Sequence, residues 1–136
     1  MRDLHNNISV KRVVSPVSTT GNAAIVGAII DRLGFESLEY VITLGTITTA
    51  GTTYTALLEE SDDAAMAVKN AVADAQLLGT ETGASFVDSE VNTSKKLGYI
   101  GSKRYTRLTL TPAGNTGAST VSAVAVLGDP ASRPTA

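Results

Sequence analysis

The chain has 136 residues and a mass of 14.0 kDa, enough for one domain to bury about two thirds of its unfolded surface without disulfide or metal staples. Eleven Lys and Arg against 13 Asp and Glu give a formal net charge of −2, which offers no overall attraction to nucleic acid or an anionic membrane. With no Cys and a single His, disulfides, thiolate zinc sites, iron–sulfur clusters and thiol nucleophiles are excluded, and most catalytic inventories are empty.

The residue budget is rich in Thr (18), Ala (18), Ser (12) and Gly (12) and holds only two Phe and four Tyr. Thr suits the pleated, half-buried surface of a strand, and Gly punctuates turns. The expectation is an all-β chain with small core side chains. Residues 1–136 form a single domain in this reading, with an N-terminal arm over about residues 1–8 and a short tail over about 129–136.

In chain order, Met1 to Asn7 lacks the cationic and apolar pattern of a secretory signal. Ile8 to Val17 reads as a strand, and Pro16 confines it to an edge. Ala23 to Ile30 is apolar on both faces and reads as a buried strand, with a short helix as the competitor. It is also the longest apolar run, far short of the roughly 20 residues a membrane helix needs. Leu38, Tyr40, Ile42 and Leu44 alternate with more polar positions in the clearest period-two signal of the chain. A bulge or bend at Gly45 accounts for the change of phase at Ile47. Ala50-Gly51 then predicts a turn into a return strand, Thr52 to Glu60, with Tyr54, Ala56 and Leu58 on one face.

Ser61 to Leu78 is the least strand-like stretch and predicts a long connection with one or two short helical turns. Asp62-Asp63 is placed to cap Ala64 to Val68, and Gly79 to end a later turn. Phe86-Val87, Leu97 to Ile100, Arg104 to Thr111 and Thr120 to Leu127 complete the strands, the last two joined as a hairpin through Pro112 to Gly117. Val124 and Val126 face one way, and Val121, Ala123, Ala125 and Leu127 the other, so both faces of the last strand are expected to be covered. Seven or eight mostly antiparallel strands with one long mid-chain connection predict a β-sandwich of Greek-key or jelly-roll type.

The candidate sites are few. His5 sits near the N-terminus, a poor place to hold a catalytic imidazole, and reads as a surface or interface residue. Glu59, Glu60, Asp62 and Asp63 form an acidic cluster without the spacing of a calcium loop, and a solvated strand end explains them equally well. Lys95, Lys96, Lys103, Arg104 and Arg107, interleaved with Tyr99 and Tyr105, are the best basic and aromatic combination, read as facing protein or solvent rather than nucleic acid. No phosphate loop and no Gly-x-Ser-x-Gly occurs. No enzymatic activity, catalytic residue, cofactor or metal is expected.

Several phrases, taken together, carry a resemblance. They are Met1-Arg2-Asp3-Leu4-His5-Asn6-Asn7-Ile8, Gly34 to Tyr40, Gly98-Tyr99-Ile100-Gly101-Ser102-Lys103-Arg104-Tyr105-Thr106-Arg107-Leu108, and Ala123 to Gly128 with Pro130. The set resembles small structural proteins encoded beside the capsid genes of tailed phages and prophages. The resemblance implies a virion component made in the bacterial host cytoplasm, placed on the outer capsid surface as a decoration or cement protein. Its implied partners are the major capsid protein and further copies of itself, a trimer being one arrangement, with no nucleic acid and no membrane. Leu4, His5, Ile8, Tyr99, Lys103 and Arg104 are the candidate interface residues. The alternatives are a head–tail connector, tail-completion or tail-tube protein, and a carbohydrate-binding β-sandwich, for which no Trp and four Tyr are poor equipment.

Overall fold

Period-two alternation decides where the long strands lie. A computed structural model describes residues 2–135. It contains eleven strands: β1 (Ile8–Thr19), β2 (Ile25–Val26), β3 (Ile30–Asp31), β4 (Phe35–Ile47), β5 (Thr53–Ser61), β6 (Asn70–Ala71), β7 (Leu77–Leu78), β8 (Phe86–Val87), β9 (Thr93–Tyr99), β10 (Tyr105–Ala113) and β11 (Ser119–Pro130). On β4 the alternating set Leu38, Tyr40, Ile42 and Leu44 is buried. On β5 Tyr54, Ala56 and Leu58 point the same way, and on β11 Val121, Ala123, Ala125 and Leu127 do so. Each fully buried Leu or Ile contributes about 1.5–3 kcal/mol, and small alanines let the two layers approach where β11 crosses the core.

The strands form two antiparallel sheets, ordered β1-β11-β4-β9-β7 and β2-β10-β5-β6, with β3 also on β10 and β8 also on β5. Pairing is nested: β1 with β11, β2 with β10, β4 with β9, and β5 with β6 and β8. The chain is thus a single long hairpin wrapped across two layers, which is the jelly-roll form of the sandwich. The two local hairpins expected from the sequence are absent. β5 leaves β4 to join the second sheet, and β11 leaves β10 to join the first, because nesting pairs each strand with one distant in sequence.

Edges and irregularities follow the breakers. β1 is an edge strand, and its register slips between Arg12 and Val14 and again between Val14 and Val17, around Pro16. The register of β11 on β4 slips between Ser119 and Val121, opposite Gly45, where the phase changes in the sequence. The run Ala23 to Ile30 is not the buried strand expected. It forms only the two-residue β2 and β3, leaving Ala23, Ala24 and Val26 exposed. Gly27 explains the break: its N–H donates to Leu108 O in the second sheet while Ala28 N–H donates to Val13 O in the first. A Cβ at Gly27 would lie 2.5 Å from Leu108 O and 2.8 Å from Val13 Cγ1, so only glycine lets the segment stitch the two sheets together here.

The mid-chain connection has helical turns, as expected: the later one falls within the stretch from Asp74 to Gly79, while Ala64 to Val68 forms none. Asp63 accepts bonds from Ala65 N and Ala67 N in a tight turn without a helix. The 3-10 turn lies at Asp74–Gln76, and a single α turn, α1 (Glu81–Ala84), starts at Thr80, whose hydroxyl accepts from Gly83 N. Gly79 follows β7 in a left-handed conformation rather than ending a helix. The outer face of β11 is not covered as expected, since Val124 is exposed. No described helix is long and apolar enough to cross a membrane.

Candidate interaction surface

The register of β5 against β10 sets Glu59 directly opposite Arg107, and that pairing begins the dissolution of the basic stripe. Arg107 donates to Glu59 at 3.0 Å, and Lys69 reaches the same carboxylate at 3.0 Å. Burial opposes ionisation of Glu59, but the two cations outweigh it and hold its carboxyl below the ordinary range. Arg104 grips Asp31 through two parallel bonds of 2.8 and 2.7 Å, which lower the carboxyl and raise the guanidinium. Lys95 meets Glu90 at 2.8 Å, and Lys103 pairs with Asp62. Solvent screens the exposed pairs, so they add little to stability. Their larger effect is to neutralise the stripe and the acidic cluster against one another, so neither phosphate tracking nor hard-cation binding has its charges at hand. Among the described residues there is no group of three His, Cys, Asp or Glu arranged to hold a metal.

The six candidate interface residues fall into two groups at one end of the sandwich. Gly34 and Phe35 line both the hollow beside Ser9 and Lys11 and the hollow beside Gly101 to Arg104. Leu4 is 58% exposed, His5 lies exposed in the 3-10 turn His5–Asn7, and Ile8 opens β1 half-buried. This stretch is a fastened turn rather than a loose arm. Asp3 accepts from both the backbone and side-chain nitrogens of Asn6, and Thr135 donates from N to Asn6 O and from Oγ1 to Ile8 O. Met1 and Ala136, the extremes of the expected arm and tail, lie outside the described residues.

Tyr99 corrects the expectation most clearly. It is 1% exposed, packed between the sheets, and presents no side-chain surface to a partner. Its hydroxyl donates to Glu60 Oε2 and accepts from Lys103 N at 3.0 Å, and the Arg32 guanidinium stacks on its ring 4.7 Å from the centroid. Burial, reinforced by the Glu60 bond, pushes the Tyr99 phenol up to about 12. Arg32 also donates to Gly101 O at 2.9 Å and Lys103 O at 2.8 Å, so it fixes the segment that carries Lys103 and Arg104. Neither Arg32 nor Glu60 emerges from sequence spacing as a partner of Tyr99, because each lies tens of residues away and only nested pairing brings it in.

The outer side of the first sheet carries a shallow hollow beside the Gly45 irregularity, lined by Pro16, Ser18, Thr43, Thr120 and Ser122. Partners on neighbouring antiparallel strands share a face, so Val10, Val126, Glu39, Gly98 and Leu78 form one row across the outside of the first sheet. Arg12, Val124, Val41 and Lys96 form the next. Burial against these neighbours raises the Glu39 carboxyl. A sheet face of exposed and half-buried valines, with Glu39 at its centre and Arg12 and Lys96 to either side, presents the composition of a protein-contact surface. Tyr40, Tyr54, Tyr99 and Phe86 are buried, while Phe35 and Tyr105 are half-buried, and Arg104 covers the Tyr105 ring 5.0 Å from its centroid. His5 makes no side-chain hydrogen bond among the described residues, which leaves it without a nucleophile or an orienting carboxylate.

No family model matches the chain, and no curated protein matches it. Solved structures do. The PBSX exported protein XepA superposes with a TM-score of 0.59 at 17% identity, over 88% of this chain and 37% of that one. This chain therefore spans little more than a third of the XepA length. The capsid structure of Ralstonia phage GP4 contains a chain that superposes with a TM-score of 0.54 at 9% identity, over 97% of this chain and 90% of the other. At these identities the likeness is one of fold: the jelly-roll sandwich described above is shared with phage-derived chains, and with the second of them along nearly the full length of both.

Proposed function

We propose that this protein is a structural component of a tailed-phage particle, and that it acts as a decoration or cement protein on the outer surface of the assembled head. The observation that carries the reading is the overlap with the chain in the Ralstonia phage GP4 capsid, which extends over nearly the whole of both chains. Fold alone does not assign function, so the surface has to agree with it. It does: the basic side chains of the Lys95 to Arg107 stretch are mostly answered by carboxylates, the outer face of the first sheet is valine-rich, and four of the six aromatic rings are in the core. The formal charge of −2 suits the outside of a head better than its lumen, where packed DNA favours basic contacts.

The mechanism in this reading is mass action. A subunit that binds only the assembled lattice stabilises it by its binding free energy, repeated at every site. A threefold arrangement of copies would share the symmetry of a point where three capsomers meet. The role is structural, with no reaction to catalyse. Heads stripped of the protein and heads carrying it are to be heated side by side; decorated heads should rupture at the higher temperature, and equal rupture temperatures would end the cement reading.

A further inference from the structure

The two long edges of the sandwich carry opposite charge. At one edge β1 and β2 lie side by side, joined by the Gly27-Ala28 stitch. Lys11 and Arg12 are exposed on β1 and make no ion pair among the described residues. Exposed Arg133 sits in the segment fastened beside β1 by Thr135. At the other edge β6 and β7 belong to the connection over residues 61–90, which holds Asp62, Asp63, Asp74, Glu81, Asp88 and Glu90 against Lys69 alone. Bonds to Lys95 and Lys103, together with exposed Lys96 on the adjoining β9, offset part of that excess. Asp74 is exposed in its 3-10 turn.

Apolar exposure follows the same division. Val10 is 56% exposed on β1, and Ile29 and Leu33 stand exposed around the hollow lined by Lys11, Arg12, Phe35 and Asp31, whose charge is met by Arg104. On the opposite edge Leu78 is 54% exposed, and Val68 is exposed nearby. The β1 edge also has backbone to offer. Ile8 O is turned outward, where Thr135 Oγ1 bonds it, and strand alternation turns Val10 outward too, with no neighbouring strand among the described residues.

We propose that copies of this chain associate head to tail, the basic β1/β2 edge of one packing against the acidic β6/β7 edge of the next. The occupant is a second copy because one chain carries both complementary edges on opposite sides. A contact between two unlike patches of one chain generates a ring when its rotation closes. This deepens the reading of a self-associating head protein by naming the surfaces, but it stands on edge charge alone and fails separately. A monomer in solution would overturn the edge contact and leave the rupture comparison untouched.

The test is sedimentation of the full chain over a range of concentrations at about 50 mM and about 500 mM salt, where the screening length falls roughly threefold. The wild type should associate at low salt, with affinity reduced about tenfold or more at high salt. The variants Lys11→Glu/Arg12→Glu and Asp62→Lys/Asp74→Lys should each be monomeric with an unchanged circular dichroism spectrum, and an equimolar mixture of the two should associate again. If either variant misfolds, Lys11→Gln/Arg12→Gln and Asp74→Asn replace them and should each weaken association severalfold. A wild type that stays monomeric at every concentration overturns the proposal. So does association that strengthens with salt, association indifferent to both variants, or a mixture that fails to associate.

Discussion

The layer between the sheets holds two polar clusters, one at each end of β5, and they are built on different principles. At the Tyr54 end everything is neutral: Tyr54 Oη, Thr19 Oγ1 and Ser119 Oγ form a triangle, and Asn115 Nδ2 joins it at Ser119 Oγ, 3.1 Å away. At the Glu60 end, about 20 Å along the strand, a buried carboxylate receives the Tyr99 hydroxyl, and a guanidinium covers the other side of the same ring. The neutral cluster has redundant partners, so losing one hydroxyl leaves the others bonded. The charged cluster has none to spare: Tyr99 is the link between Glu60, Lys103 N and Arg32. The first end fastens the crossing from β10 to β11, while the second positions the exposed segment that carries Lys103 and Arg104.

Removing one oxygen at each end separates the two designs. Tyr99→Phe strips the hydrogen bond from a buried carboxylate and should cost about 3 kcal/mol in denaturant unfolding; a loss below 1 kcal/mol would show that Glu60 finds solvent. Arg32→Met removes three carbonyl bonds, to Gly101, Lys103 and Glu36, together with the ring contact, and should cost about 2 kcal/mol. It should also speed amide exchange at Lys103 without altering exchange in β4. Tyr54→Phe should cost only about 1 kcal/mol, because Thr19 and Ser119 stay 3.1 Å apart and bond each other. A cost equal to that of Tyr99→Phe would erase the distinction.

The smallest effect is one of pH. The Tyr99 phenol is raised in the folded state, so folding favours its neutral form. That contribution is complete below the ordinary tyrosine value near 10 and is lost as pH rises through about 12. Tyr40, raised still further by burial, has the same sign, and it is present in both proteins compared. Stability measured between pH 9 and pH 12 should therefore fall less in Tyr99→Phe than in the wild type.

The same contrast marks what could be read from the sequence. Local signals were sufficient for strand existence and facing: the alternation at Leu38 to Leu44, the bulge opposite Gly45 and the inward set Tyr54, Ala56 and Leu58 all rest on period two. Sheet membership was not legible, because burial of alternate residues looks the same whichever sheet a strand joins. The pairing of β5 with β10 rather than β4 also decides the ion pairs, for without it Glu59 and Arg107 are 48 residues apart and unrelated. Ala23 to Ile30 misleads for another reason. Its apolar residues serve an edge segment that touches both layers, and the one residue that allows this, Gly27, carries no side chain to signal it. Of the candidate interface residues, Tyr99 looked like a surface aromatic among cations, and only the nested fold turns it inward.

The most direct measurement of the central claim is the number of copies of this chain per purified phage particle, counted by quantitative mass spectrometry against the major capsid protein. A decoration protein covering the head lattice should be present in hundreds of copies, with imaging placing it on the capsid exterior. A count of about six or twelve, the size of a single connector or terminator ring, would contradict the decoration reading and move the protein to the neck or tail, and absence from the particle would contradict a virion role of any kind.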